Sequence, residues 1–163
     1  MSECVIDIKI ETKNWQTHEA ALRAHIDYLW DALSLKAGEV SVLLADDTQL
    51  AALNKTYRQK ETPTNILSFP SLDLAAPYNA ALCTRPYLVL GDMAVSFTRV
   101  AEEAAMAQLD FRHRALHLIT HGLLHLLGYT HDTQLAAHKM ETLEATLLAP
   151  LGIANPYVNE VLC

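Results

Sequence analysis

The chain has 163 residues, 51% of them hydrophobic and 19% charged, with a formal net charge of -7. That apolar content excludes a disordered or low-complexity chain and suffices for one core, so residues 1–163 are expected to form a single domain. The acidic balance does not mark an obvious nucleic-acid binder, since phosphate contacts usually come from Lys and Arg, although a local basic patch is compatible with it; no DNA partner is expected.

The opening MSECVIDIKIE lacks the basic segment and long apolar run of a signal peptide. No stretch is long enough to span a bilayer, so a cytoplasmic location without a membrane partner is expected. Cys4, Cys83 and Cys163 are scattered and form no Cys-x-x-Cys pair, which argues against a disulfide framework and a thiolate metal site.

Val5, Ile6, Ile8 and Ile10 predict a first strand. Thr17 to Leu35 carries apolar residues at helical spacing and ends before Gly38. Glu39 to Ala45 predicts a second strand. Asp46 and Gln49 then stand at capping-box spacing ahead of a helix to Tyr57. Asn65 to Phe69 predicts a third strand after a Pro63 break. Ser71 to Pro86 reads as a loop. Tyr87 to Leu90 predicts a fourth strand, stopped by Gly91-Asp92. Helices follow over Val95–Gln108, with Glu102 and Glu103 on the solvent side, and from the Asp110 cap to Leu127. A last helix spans Gln134–Ala149. The uneven order of strands and helices predicts an α+β fold: a small mixed sheet of about four strands with helices, and a metal site on a central helix and the turn after it.

Six of the eight histidines fall between positions 113 and 138, and His113, His117, His121 and His125 recur every four residues. On a helix, neighbours four apart share a face, and two neutral imidazoles so placed can grip one ion. Gly128 then permits a sharp turn that returns His131 toward the same point. His121, His125 and His131 are therefore the expected metal ligands. Three protein ligands leave a position open, as in catalytic zinc sites, and imidazoles suit zinc. One zinc per chain is expected. The spacing matches the metzincin proteases except that Gly122 stands where their general-base Glu belongs, which weakens a peptidase reading. His117 is read as a histidine behind the ligands or a satisfied core residue.

Several motifs in order resemble the YbeY family of rRNA maturation endoribonucleases. They are Leu53 to Lys60 followed by Thr62 to Pro70, Leu90-Gly91-Asp92-Met93, His121 to His131, and Leu151-Gly152-Ile153 with Asn155-Pro156-Tyr157. One departure is Thr130, where many members have Asp; Asp132 follows the third histidine instead. The resemblance implies a zinc-dependent endoribonuclease that cuts single-stranded RNA, with ribosomal RNA and the small ribosomal subunit as partners. It also implicates Arg58, whose planar fork suits phosphate oxygens. On that reading Arg58 and His121 are the catalytic residues, and Arg58 and Lys60 bind substrate within a basic cluster that includes Lys55. A non-catalytic ribosome assembly factor with a structural zinc is the alternative. Tyr57 and Phe69 are expected in the core.

Overall fold

The structure, a computed structural model, describes residues 3–58, 64–72 and 85–157. Strand β1, Cys4–Ile10, pairs in parallel with β2, Gly38–Ala45, which pairs in parallel with β4, Leu88–Ser96. Strand β3, Ile66–Pro70, lies antiparallel on the outer side of β4, so the order is β1-β2-β4-β3. The helices are α1 (Glu19–Ala32, led by a 3-10 turn at Lys13–His18), α2 (Asp47–Arg58), α3 (Phe97–Ala107), α4 (Phe111–Leu126) and α5 (Gln134–Leu148). This is the α+β arrangement expected, with a mixed sheet of four strands.

Alternation along the strands divides the sheet into two faces. Ile6, Val40, Val42, Leu44, Met93 and Val95 meet α1 and α4 in the main core, which also holds Trp30 and Ile119. The opposite face is covered in part by α2, where Leu50 packs with Ala45, Leu67 and Ala94. Trp15 and Trp30 are fully buried, and each indole N–H donates to a carbonyl: Ala45 at 2.8 Å and Lys36 at 2.7 Å.

Two local expectations are corrected. Strand β4 does not stop at Gly91-Asp92 but runs on to Ser96. The β2–β4 register shifts between Glu39 and Val40, so Leu90 is an extra residue. Its insertion moves the core-facing set from Leu88 and Leu90 to Met93 and Val95, which in sequence reads as the end of an alternation. Gly91 makes the bulge possible: its φ is +133°, and a Cβ there would lie 2.2 Å from the Phe69 carbonyl oxygen. At α2, Gln49 accepts from the Asp46 N–H at 3.1 Å, which is half of a capping box. The Asp46 carboxylate goes elsewhere, accepting from the Thr98 N–H at 2.8 Å and the Ser96 hydroxyl at 3.2 Å. Asp46 thus ties the start of α2 to the start of α3.

Helix α4 carries the histidines. It starts where the Asp110 carboxylate accepts from the N–H groups of Arg112 and His113, at 2.9 and 3.3 Å. Its close approach to the sheet is set by Gly122, where a Cβ would meet Ile66 Cδ1 at 2.7 Å and Met93 Sδ at 2.8 Å. The Ser68 hydroxyl donates to the Gly122 carbonyl at 3.3 Å. No helix among the described residues is long and apolar enough to cross a membrane.

Candidate metal centre

Helix α4 presents His121 and His125 one turn apart, with rings nearly perpendicular and centroids 4.5 Å apart. The chain leaves the helix through Gly128, at φ +96°, and brings His131 back to the pair. The ligand atoms of His121, His125 and His131 all lie within 4.8 Å of one another, the arrangement of a group that can hold a metal ion. It is the only such His, Cys, Asp and Glu group among the described residues. It sits in a cleft of about 540 Å³, and His131, at its rim, is exposed.

Hydrogen bonding decides where the lone pairs point. A backbone carbonyl only accepts, so the 2.9 Å contact from His125 Nδ1 to the Tyr129 oxygen places the proton on Nδ1. His121 Nδ1 likewise donates to Glu144 Oε1 at 2.6 Å. With both rings neutral, the two Nε2 atoms carry lone pairs, and they face each other at 3.0 Å. Two acceptors so close repel unless a cation lies between them. Two imidazoles on one tetrahedral zinc stand roughly 3.3 Å apart, given bond lengths of about 2.0–2.1 Å. The donor set and its geometry fit a metal ion. Burial, and then the neighbouring His121, hold the His125 imidazole down at about 4, so it is neutral and ligand-ready near pH 7.

Behind His121 stands a hydrogen-bonded series. The Glu144 carboxylate is fully buried and accepts from His121 through one oxygen and from the Tyr157 hydroxyl through the other. Tyr157 receives the His117 Nε2–H at 3.3 Å, and His117 Nδ1 accepts from Arg114 at 2.9 Å. Arg114 is anchored by Glu103 at 2.7 and 3.0 Å, and the Asn65 amide donates to the same carboxylate at 3.2 Å. Burial pushes His117 down to about 4, against the pull of Glu144. His117 is therefore a neutral relay with both nitrogens engaged behind the ligands, where the sequence favoured a satisfied core residue.

Glu144 was not singled out in sequence, although a signal exists. It occupies a place in the Met140, Glu144, Leu147, Leu148 stripe that α5 buries, where a carboxylate is out of character. Glu103, read as a solvent-side residue, instead holds Arg114 and Asn65 at the cleft. Gly122 is pressed on Ile66, Ser68 and Met93, so the metzincin base is missing and its place is taken by side chains of β3 and β4. Thr130 and Asp132 both line the cleft beside His131. The backbone of Arg58 closes α2; its side chain and Lys60 lie outside the described residues. Tyr57 is 66% exposed rather than in the core, with its ring 5.2 Å from that of half-buried Phe69. Phe69 turns toward α2, while Ile66 and Ser68, the alternate residues of the edge strand β3, face α4.

Comparisons with known proteins identify a family. A family model described as "Endoribonuclease YbeY" matches residues 6–152. Proteins of that name resemble the chain over most of its length. The one from Ruegeria sp. is 38% identical over 96% of this chain and 98% of its own. The one from Jannaschia sp. is 41% identical over 93% and 99%. That from Novosphingobium aromaticivorans is 45% identical over 74% and 73%. The solution structure of a Thermotoga maritima protein shares the fold with a TM-score of 0.57, at 22% identity, covering 90% of this chain and 91% of that one.

Proposed function

We propose, from the premise that this chain belongs to the endoribonuclease YbeY family, that it is a zinc-dependent single-strand endoribonuclease acting on ribosomal RNA during small-subunit maturation. The observation that carries the metal part is the facing pair of Nε2 atoms on His121 and His125, with both Nδ1 protons engaged elsewhere and His131 beside them. These three histidines would hold one ion, which when bound supplies Lewis-acid chemistry at a phosphate.

The remaining work belongs to the chain's own groups. Glu144 and the Tyr129 carbonyl hold the two helical imidazoles in the tautomer that aims Nε2 into the cleft. Arg58, at the end of α2, and Lys60 after it are assigned to the RNA backbone, where a guanidinium can grip two phosphate oxygens and an ammonium can offset charge. The protein is acidic overall, so these few cations set a local rather than a global attraction for RNA. The whole of residues 1–163 is taken as one functional unit, located in the cytoplasm.

Purified protein should contain about one zinc per chain and cut single-stranded RNA in preference to duplex. His121→Ala should lose both metal and cleavage. Undiminished cutting by metal-free His121→Ala protein would defeat the proposal. A variant that supports subunit maturation in cells with no nuclease activity would replace it with the assembly-factor reading.

A further inference from the structure

We propose that Glu144, backed by Tyr157, is the positioning residue of the metal centre: its buried carboxylate holds His121 by the Nδ1–H and supplies negative charge one imidazole away from the bound ion. The inference rests on the reading of the three histidines as ligands.

The first argument is burial. Glu144 is 0% exposed, and a carboxylate taken from water costs several kcal/mol unless it is compensated. Its ion-pair contacts are to histidines, His121 at 2.6 Å and His117 at 4.0 Å. The protons it receives come from the His121 ring and the Tyr157 hydroxyl. The positive charge that would balance it belongs at the Nε2 atoms on the far side of the His121 ring. A buried carboxylate on one side of the ring and a cation site on the other fit each other.

The second argument is direction. Arg114 can only donate, so His117 Nδ1 must accept. The His117 proton is then on Nε2 and goes to the Tyr157 oxygen. The Tyr157 hydroxyl proton therefore goes to Glu144. That leaves Glu144 Oε1 free to take the His121 proton. Each donor from Arg114 to Tyr157 is forced by the one before it, and an ionised Glu144 then fixes the His121 proton on Nδ1, so a ring on α4 is oriented from Glu103 on α3 and from Tyr157 beyond α5. A carboxylate on the distal nitrogen also raises the basicity of the liganding one.

The test is zinc affinity, measured with zinc alone against a competing chelator on the full chain. Glu144→Gln keeps the shape and removes the charge, and should weaken zinc binding by roughly 10–100-fold. Tyr157→Phe leaves one carboxylate oxygen without its donor and should produce a smaller loss in the same direction. In the zinc-loaded protein the downfield His121 Nδ1–H proton resonance should move upfield in Glu144→Gln. Wild-type affinity in Glu144→Gln overturns the proposal, as does a His121 Nδ1–H resonance that does not move. If Glu144→Gln does not fold, Tyr157→Phe at its half-buried position decides, and unchanged affinity there overturns it. Absence of zinc binding by the wild-type chain would instead defeat the reading of the histidines as ligands.

Discussion

His25 and His121 sit on opposite sides of the same stretch of α4, and their difference shows what separates a core histidine from a ligand. His25 is buried against α4, with Nε2 2.8 Å from the Thr120 hydroxyl, whose own proton goes to the Leu116 carbonyl at 2.9 Å. Its Nε2 therefore donates, and its Nδ1 is buried with no hydrogen-bond partner. His121, the next residue after Thr120, reverses the assignment: Nδ1 donates to Glu144, and Nε2 is left as an acceptor facing a second acceptor. The residue type is the same in both places. A core histidine turns its lone pair toward apolar neighbours, whereas a ligand turns it toward other lone pairs in an open cleft.

The sharpest break of that comparison comes from paired substitutions. His125→Ala should reduce zinc content and RNA cleavage to background, while His25→Leu should leave one zinc per chain; metal analysis and a cleavage assay read both. Loss of zinc in His25→Leu would mean that the core side of α4 also shapes the site.

Next in size is Gly122→Glu. This position is pressed on Ile66 and Met93, so the new carboxylate would be buried toward the sheet. A loss of about 3 kcal/mol or more is expected in urea unfolding. No peptidase activity should appear.

The pH dependence of folding is smaller. Burial holds His25 down at about 4 from an ordinary 6.5. The unfolded chain thus binds a proton that the folded chain refuses. This contribution is present in full above pH 6.5 and is lost as the pH falls toward 4, by at most about 3 kcal/mol. His117 and His125 are lowered in the same way and add slopes of the same sign. Denaturation of the metal-free protein between pH 7 and 4 should therefore show a shallower decline in His25→Leu than in wild type. Parallel declines would remove His25 from the account.

The smallest effect tests the frame that both histidines share. Asp110→Ala removes the cap of α4 and should cost about 1 kcal/mol in thermal unfolding, with zinc affinity unchanged.

Much of this was legible in the chain because it is local. The pairing of His121 with His125 follows from helical repeat, and the return of His131 from the glycine three residues after His125. The four strands and five helices were legible for the same reason, since each is a short periodic pattern. The end of β4 was not legible. The bulge at Leu90 is fixed by its neighbours in the sheet, which alternation along one strand cannot report. Glu103 was misplaced because its partners, Arg114 and Asn65, lie 11 and 38 residues away.

By itself the sequence determined which residues can gather at the centre: three imidazoles at spacings that a helix and a turn bring together. Only the tertiary structure decided how those imidazoles are protonated. Tautomers are set by the acceptor each Nδ1 meets, and for His121 that acceptor is Glu144, 23 residues along the chain on another helix. Helical spacing can place a ring, but it cannot say which nitrogen keeps its lone pair; that depends on the packing of α5 and Tyr157 against α4.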